Sequence, residues 1–427
     1  MSNIDLKNII LEKKSEGQFL YPFYEKYCLS NIPSTILKLF GIKPKNPILG
    51  HEILKVLESY EFENILFLIL DGFGYNYWKK YSDDYWFFRK FEEKGHVFPL
   101  TTIFPSSTAP AITTINTGFT PQEHGLLEWV VYFKEIDMII NTLPFSSLIK
   151  KDQMILEKAN PKILYNGQTI YQKLKKEGIK SFSFISHLYS RSKYSKIIAK
   201  GSETISFLYL SDLFVNVRKK LENFLGKSYY YIYIDHMDSI EHKYGLLTDE
   251  NSSEISSISF MIKQELSKVQ KKIANKTIVF FTSDHGQTKV YPNETIYLNR
   301  FKKLDKYFQK GKRKNKILPT GSPRDVFLHI KPEMLDETIE FLKNKLKGKC
   351  AVLKTEDAIK RGLFGIGKPT KKFMERVGNV LILPYRNNTI WYKHTNKKFD
   401  LLGHHGGLSK DEMLIPFAFC KLSDLIS

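Results

Sequence analysis

The fold is decided by the stretch Ile65-Leu-Phe-Leu-Ile-Leu-Asp71-Gly72-Phe-Gly74. Six apolar residues end at Asp71, and Gly72 follows directly. A continuous apolar run that is bounded by glycine predicts a strand buried on both faces of a parallel sheet. Ligands bind at the carboxyl ends of the strands in open α/β sheets, so Asp71 is a candidate site residue. Asp-Gly is also common turn chemistry, and a simple turn is the alternative for Asp71 taken alone.

The composition indicates a large globular protein. The chain has 427 residues, of which 42% are hydrophobic and 14% aromatic, and these values exclude disordered and fibrous classes. Its three cysteines are widely spaced and odd in number, which argues against a disulfide framework and favours a reducing compartment. The N-terminus lacks the apolar core of a signal peptide, and no apolar run is long enough to span a bilayer. We therefore expect a cytoplasmic protein without a membrane anchor.

The net charge favours anionic partners. The chain carries 65 Lys and Arg against 45 Asp and Glu, a formal charge of +20. Such a balance attracts phosphate esters, nucleotides or nucleic acid, although compositional drift toward lysine is an alternative explanation. Residues 302–316 alone contain eight Lys or Arg. This basic segment could line an anion entrance, but a solvated surface is the commoner role of a charge run.

Predicted strands and helices alternate through the middle of the chain. This alternation predicts an α/β fold with a doubly wound, mostly parallel sheet sandwiched by helices. We divide the chain into a helical N-terminal extension (residues 1–60), a catalytic core (61–290 together with 396–427) and a small inserted α+β cap (291–395). The predicted strands lie at 97–103, 179–185, 229–234 and 277–282 in the core and at 325–330, 380–383 and 389–392 in the cap, and the predicted helices lie at 169–176, 210–225 and 256–273.

Carboxylates and imidazoles follow three of the predicted strands or lie near the C-terminus. Asp71 ends the first strand, Asp238 follows the strand at 229–234, and Asp284-His285 follows the strand at 277–282. The segment Gly403-His-His-Gly406 supplies further imidazoles. Oxygen and imidazole ligands suit zinc, and manganese less well. Buried like charges without a cation would be strongly destabilising, so the pattern predicts a metal site at the carboxyl edge of the sheet.

These motifs resemble the alkaline phosphatase superfamily, and specifically its type I phosphodiesterase/nucleotide pyrophosphatase family, from about residue 64 to the C-terminus. Several short patterns carry the resemblance together, whereas none of them is specific alone. The matching positions are Asp71 at the end of the first strand, Thr108-Ala-Pro-Ala111 at a helix start, Thr117-Gly118, His124-Gly125, Asp238-x-x-x-His242, Ser283-Asp-His-Gly286 and Gly403-His-His405-Gly406.

The resemblance implies two divalent metal ions, zinc or alternatively manganese. One would be held by Asp238, His242 and His405. The other would be held by Asp71, Asp284 and His285, with the oxygen of Thr108 as a further ligand. Thr108 would also be the nucleophile.

Three details of the chain bear on this assignment. Relatives often have asparagine three residues after the nucleophile, where this chain has Ala111, so the substrate contacts differ. Rival hydroxyls lie nearby, but Thr108 alone precedes x-Pro-x at a helix start. His404 and Arg324 are candidate substrate contacts, but a role in shaping the turn is the alternative for His404 and an ordinary surface ion pair is the favoured alternative for Arg324, whereas we interpret His236 as a bystander. The rival hydroxyls are Thr101, Thr102, Ser106 and Ser107.

The resemblance implies a metal-dependent hydrolase of phosphate esters, and a phosphodiesterase or nucleotide pyrophosphatase that forms a phospho-threonine intermediate is favoured. A phosphomonoesterase or a phosphonate hydrolase on the same metal frame stays open, as does a metal-dependent transferase. A hypothesis from a different class is a basic nucleic-acid-binding protein with a vestigial site. The sequence does not decide the oligomeric state.

Overall fold

The apolar run at residues 65–70 lies in the middle of a seven-stranded sheet. The computed structural model describes residues 5–148, 152–396 and 398–427. The strand Asn64–Leu70 pairs in parallel with Thr277–Thr282 on one side and with Ser228–Ile234 on the other. All seven of its residues are buried. This environment is the one that a continuous apolar run predicts.

The central sheet is parallel except for one strand. Leu414–Lys421 runs antiparallel between Thr277–Thr282 and the edge strand His96–Thr101. The fold is therefore α/β with a mostly parallel sheet, as the sequence predicts. In spatial order the strands are His96–Thr101, Leu414–Lys421, Thr277–Thr282, Asn64–Leu70, Ser228–Ile234, Lys180–Ser186 and Glu203–Phe207.

Helices cover both faces of this sheet, because alternate side chains of each strand point to opposite faces. Ile65 and Phe67 belong to one buried cluster, whereas Leu66 and Leu68 belong to another on the opposite face. The α-helices of the described residues are Leu6–Lys14, Asn31–Leu39, His51–Leu57, Tyr75–Tyr81, Trp86–Lys94, Thr108–Thr117, Pro121–His124, Gln153–Lys158, Ile170–Lys176, Lys193–Ile198, Leu210–Asn223, His236–Tyr244, Asp249–Leu266, Lys271–Ala274, Leu335–Lys345, Thr355–Lys360, Lys371–Arg376, Lys410–Met413 and Leu422–Leu425.

A second sheet of seven strands is antiparallel throughout. It combines strands of the predicted cap with three strands from residues 130–147, which the boundary at residue 291 assigns to the core. This sheet therefore draws on two separate parts of the chain, and the division into an extension, a core and a cap stays a prediction. In spatial order its strands are Cys350–Lys354, Val380–Pro384, Asp325–Leu328, Thr320–Ser322, Val130–Phe133, Met138–Asn141 and Ser146–Ser147.

Short elements complete the fold. Within the basic segment 302–316, Leu304, Tyr307 and Phe308 are buried in the cluster on the outer side of the second sheet. That segment is therefore anchored by apolar side chains rather than fully solvated.

The two-residue strand pairs are Ser15–Glu16 with Phe19–Leu20, Thr288–Lys289 with Gly403–His404, and Ile296–Tyr297 with Ile390–Trp391, and the 3-10 helices are Pro161–Ile163, Pro292–Glu294, Leu298–Arg300, Lys302–Lys306 and Pro332–Met334.

Candidate active site

Three neighbouring parallel strands bring acidic residues to one edge of the central sheet. Asp71 directly follows Asn64–Leu70, and Asp284 follows Thr277–Thr282 after one serine. Asp238 lies in the helix that begins two residues after the strand Ser228–Ile234. Because these strands are parallel and adjacent, their carboxyl ends meet, and the sequence pattern becomes a spatial cluster.

The first ligand group consists of Asp238, His242 and His405. Asp238 and His242 are four residues apart in one helix, a spacing that places both side chains on the same face. His242 Nε2 lies 3.3 Å from Asp238 Oδ2, and His405 Nε2 lies 3.5 Å from Asp238 Oδ1. The ligand atoms of this group all lie within 4.8 Å of one another. The geometry can hold one ion.

The second ligand group consists of Asp71, Asp284 and His285, and all three side chains are buried. His285 Nε2 lies 3.3 Å from Asp71 Oδ1 and 3.4 Å from Asp284 Oδ2. The two groups are adjacent, because the imidazole rings of His285 and His405 stack with their centres 3.8 Å apart.

Thr108 lies beside the second group. Its Oγ1 is 3.1 Å from His285 Nε2. Thr108 is the first residue of the helix Thr108–Thr117, and Ser107 is the N-cap residue. Thr108 is therefore within the helix rather than capping it. Its hydroxyl is directed to the ligand group at the positive end of a helix dipole.

The three imidazoles present the nitrogen that a metal requires. Each Nδ1 lies near a backbone carbonyl oxygen, at 2.8 Å from Gly403 for His242 and 3.2 Å from Ser106 for His405. The corresponding distance from His285 Nδ1 to the Gly286 oxygen is 3.1 Å. An Nδ1–H that donates to a carbonyl leaves the Nε2 lone pair free, as in most histidine metal sites.

The donor set fits cations on two further grounds. Asp71 Oδ1 and Asp284 Oδ2 are buried without a hydrogen-bond partner. Burial and the neighbouring carboxylates of Asp284 and Asp238 raise the pKa of Asp71 well above its ordinary value. Burial and the adjacent His285 ring lower the pKa of His405 well below its ordinary value. A divalent cation would favour the ionised carboxylate and the neutral imidazole that its binding requires.

Two supporting residues were missed by the sequence analysis. Tyr233 Oη donates a hydrogen bond to Asp71 Oδ2, and Gln287 Nε2 donates one to Asp238 Oδ1 at 2.5 Å. These bonds orient the carboxylates from outside the ligand groups. Tyr233 follows the alternating pattern of its strand, and Gln287 lies two residues after His285. Neither position carries a distinguishing sequence signal.

The two predicted substrate contacts, Arg324 and His404, differ in their position relative to the cavity. Arg324 is fully buried, and its guanidinium forms two hydrogen bonds of 2.8 Å with the carboxylate of Glu412. Its remaining Nη1 donates to the carbonyl of Asn388, so the prediction that Arg324 contacts substrate does not fit its position. His404 lines the site cavity, and burial lowers its pKa to about 3, so its imidazole is neutral. Its role as a substrate contact stays a prediction.

The rival hydroxyls are largely occupied elsewhere. Thr101 Oγ1 donates to the Tyr27 carbonyl, Thr102 Oγ1 to the Asp284 carbonyl, and Ser106 Oγ to the Gly407 carbonyl. His236 Nδ1 lies 2.7 Å from Glu254 Oε1, and the interpretation of His236 as a bystander stays a prediction.

A cavity of about 790 Å³ opens above these residues. Thr108 and members of both ligand groups, including Asp71 and His405, contribute to its lining. Glu128 and Trp129, which follow the helix Thr108–Thr117 in the sequence, also line it. Ligand pockets commonly have volumes of roughly 300–1,000 Å³. The cavity is large enough for a substrate that extends well beyond one phosphoryl group.

Comparisons with known proteins agree with this architecture. The sequence profile of the family described as Type I phosphodiesterase / nucleotide pyrophosphatase matches residues 65–408, which contain both ligand groups and Thr108. The chain belongs to this family. Human ectonucleotide pyrophosphatase/phosphodiesterase family member 1 is 23% identical over 252 residues, which are 57% of this chain and 25% of that protein. Family member 3 of Rattus norvegicus is 23% identical over 295 residues, 65% of this chain and 31% of that protein.

The chain thus spans about a quarter to a third of the length of these curated relatives. Solved structures share the family fold at low identity. Murine ectonucleotide pyrophosphatase/phosphodiesterase 5 is 18% identical with a TM-score of 0.61, covering 85% of this chain and 92% of its own. Phosphonoacetate hydrolase from Sinorhizobium meliloti 1021, in complex with phosphonoformate, has the same identity and TM-score and covers 85% and 90%. An inactive threonine-to-alanine variant of the murine protein was solved in complex with AMP.

The structure bears on two predictions, that the chain has no membrane-spanning segment and that its cysteines form no disulfide framework. Among residues 5–148, 152–396 and 398–427, no helix combines the length and apolar character needed to cross a membrane. The described cysteines Cys28, Cys350 and Cys420 are all free and buried. The cytoplasmic location stays a prediction, since the names of the relatives above describe ectoenzymes.

Proposed function

We propose that this protein hydrolyses phosphate diesters through a covalent phospho-threonine intermediate at a site for two divalent cations. The observation that carries the proposal is the position of Thr108. Its hydroxyl lies 3.1 Å from His285, a member of one buried ligand group, and that histidine stacks on His405 of the other group. Membership of the type I phosphodiesterase family supports the same reaction class.

Thr108 Oγ1 would attack the phosphorus of the substrate. The bond from phosphorus to the leaving-group oxygen breaks, and the proton of the threonine hydroxyl ends on the released alcohol. A water molecule then attacks the phosphorus of the phospho-threonine and releases the Thr108 hydroxyl together with the monoester product. An unperturbed hydroxyl is a weak nucleophile, so this reaction requires the charged surroundings that the site provides.

The helix Thr108–Thr117 would stabilise the phosphoryl oxygens. The first N–H groups of a helix have no carbonyl partner within it, and the positive end of the helix dipole lies at the same place. Pro110 lacks an N–H and Ala111 N donates to the Ser107 carbonyl, so the N–H groups of Thr108 and Ala109 are the ones available. Charge that builds up on phosphoryl oxygens in the transition state strengthens such contacts.

Asp238, His242 and His405 would hold one cation, and Asp71, Asp284 and His285 would hold the other. When bound, a pair of divalent cations would supply Lewis-acid stabilisation to the attacking and leaving oxygens. Zinc suits the mixed oxygen and imidazole donors best, with manganese as the alternative. Tyr233 and Gln287 would fix the orientation of the two carboxylates that they contact.

The test uses the purified chain with added zinc or manganese. Bis-p-nitrophenyl phosphate, p-nitrophenyl phosphate and the p-nitrophenyl ester of thymidine monophosphate distinguish diester, monoester and nucleotide preference. Thr108→Ala should lower kcat at least about a thousandfold, because it removes the nucleophile. Acid-quenched wild-type protein should carry a phosphoryl adduct on the peptide that contains Thr108.

Thr370→Ala is a matched control. Thr370 is a true N-cap residue, since its side chain accepts a hydrogen bond from Phe373 N, and it is not among the cavity residues. Its replacement should cost about 1 kcal/mol of stability without changing kcat. Full turnover by Thr108→Ala would refute the assignment of Thr108 as the nucleophile, and cleavage of the monoester alone would refute the diesterase assignment. Nucleic-acid binding that survives metal removal, with no turnover, would favour the binding-protein hypothesis.

A further inference from the structure

One face of the helix Thr108–Thr117 lines a part of the site cavity, which we call the arm. Thr108, Ile112 and Asn116 all line the cavity. These residues are four apart in the helix Thr108–Thr117, so they lie along one face of it. Eight residues of helix extend about 12 Å at a rise of about 1.5 Å per residue. The arm therefore has room for an elongated group that begins at the phosphoryl position.

The walls of this arm are apolar and aromatic. Tyr231 and Tyr233 project from the central strand Ser228–Ile234, and Ile185 projects from the neighbouring strand Lys180–Ser186. Tyr194 and Ile198, which lie one turn apart in the helix Lys193–Ile198, face the cavity as well. All five side chains are buried. An apolar substrate group would gain binding free energy from such walls.

The described lining contains no lysine or arginine, although the chain as a whole has a formal charge of +20. Four acidic residues do line the cavity, namely Asp71, Glu128, Asp235 and Asp238. Beyond the two ligand groups, nothing in this described lining offers a cation to further phosphates of a substrate. A nucleoside triphosphate would place additional negative charge against carboxylates, which is unfavourable.

The rim of the cavity continues the apolar character. Leu188 is 75% exposed and Trp129 is 45% exposed, yet both line the cavity. An apolar substrate group that extends to the mouth of the cavity would contact these two side chains and remove them from water.

We propose that the preferred substrate is a phosphodiester with a single negative charge and one elongated, uncharged, apolar ester group, which occupies the arm along Thr108, Ile112 and Asn116. This substrate class rests on the proposed function, because the phosphoryl group is placed beside Thr108. Polyanionic nucleotides are disfavoured by the same cavity. The charge of the cavity lining, rather than the charge of the whole protein surface, determines which substrates the site prefers.

Two diesters that differ only in chain length test the proposal. p-Nitrophenyl octyl phosphate and p-nitrophenyl methyl phosphate have the same charge and leaving group, and both are used below the micellar concentration of the octyl ester. Burial of each methylene can improve binding up to about fourfold, so the octyl ester should have a kcat/KM at least about tenfold higher. Equal kcat/KM values for the two esters would overturn the proposal while leaving the proposed reaction intact.

A binding measurement separates this proposal from the reaction itself. Calorimetric titration of the Thr108→Ala protein with octyl phosphate and with methyl phosphate needs no turnover. Octyl phosphate should bind at least about tenfold more tightly, and equal affinity would overturn the proposal even if neither diester is hydrolysed. Failure of hydrolysis together with selective octyl binding would refute the proposed reaction only.

A charge variant tests the selection against polyanions. Leu188→Lys adds a cation at the cavity rim, and Leu225→Lys is the control because Leu225 is 87% exposed and is not among the cavity residues. ATP should inhibit the wild type more weakly than octyl phosphate does, and Leu188→Lys alone should lower the inhibition constant of ATP about fivefold. Equal changes in the two variants, or stronger inhibition of the wild type by ATP than by octyl phosphate, would overturn the proposal.

Discussion

Replacement of Tyr233 by phenylalanine should weaken cation binding at Asp71, Asp284 and His285. Tyr233 Oη donates to Asp71 Oδ2, while Asp71 Oδ1 has no hydrogen-bond partner within the protein. Tyr233→Phe would therefore leave both oxygens of a buried carboxylate without a donor. The ring stays in place, so the packing of the strand Ser228–Ile234 is preserved.

The expected loss follows from the strength of that hydrogen bond. A hydrogen bond to a charged group contributes about 1.5–3 kcal/mol, and about 1.4 kcal/mol corresponds to a tenfold change in Kd. The Kd for zinc at this group should therefore rise roughly 10- to 100-fold, a range that is also typical of outer partners in metal sites. The other group, which includes Asp238 and His242, should keep its affinity.

Calorimetric titration of the metal-free protein with zinc measures this change without relying on turnover. Tyr229→Phe is the matched control, because Tyr229 lies on the same face of the same strand and its buried Oη has no hydrogen-bond partner. That control should bind zinc like the wild type. An unchanged affinity of both groups in folded Tyr233→Phe would refute the view that Tyr233 orients Asp71 for a cation.

Two further predictions concern stability. Arg324→Met should lower the free energy of unfolding by about 3–5 kcal/mol, because it leaves the fully buried Glu412 carboxylate without its partner. The double variant Arg324→Met with Glu412→Met should recover most of this loss. Urea denaturation measures both variants, and a single variant as stable as the wild type would contradict the reasoning. Burial lowers the pKa of His329 from 6.5 to about 4, so the unfolded chain binds an extra proton in this interval and stability should fall as the pH drops from about 6.5 to about 4. His329→Gln should reduce the dependence of the unfolding free energy on pH by about 1.4 kcal/mol per pH unit. An unchanged pH dependence in urea titrations at several pH values would contradict this role of His329.

The local signals for the centre of the fold were strong. A run of apolar residues that ends at Asp71 has one natural environment, a strand covered on both faces, and the structure places it there. The strand at 277–282 was predicted with the bounds that the structure has, and Asp284 follows it. Adjacent parallel strands bring such residues together, so most of the candidate site could be predicted as a cluster.

Other parts of the fold gave misleading or weak signals. Leu414–Lys421 is an apolar interior strand, but it contains Pro416, and a proline is a local signal against an interior strand. The strands between residues 130 and 147 are two to four residues long, and their membership of the cap sheet depends on pairing with residues far away in the sequence. Pairing between distant segments is decided by the tertiary fold rather than by local preference.

Side-chain partnerships at the site were the least predictable. Arg324 is attractive as an anion contact in the sequence, but its donors bind Glu412 and the Asn388 carbonyl. The sequence does not reveal this, because a buried ion pair joins residues 88 positions apart. Likewise, Tyr233 is one of several tyrosines in its strand, and only the position of Asp71, just beyond the neighbouring strand, distinguishes it.

The position of Leu414–Lys421 has a consequence for biosynthesis. This strand lies between His96–Thr101 and Thr277–Thr282, so the edge strand can join the sheet only after residue 421 has left the ribosome. His405 is synthesised shortly before this strand. Until residue 421 has been translated, the nascent polypeptide should therefore expose an open sheet edge, and until residue 405 it should lack a complete ligand group, which makes it a natural client for chaperones during that interval.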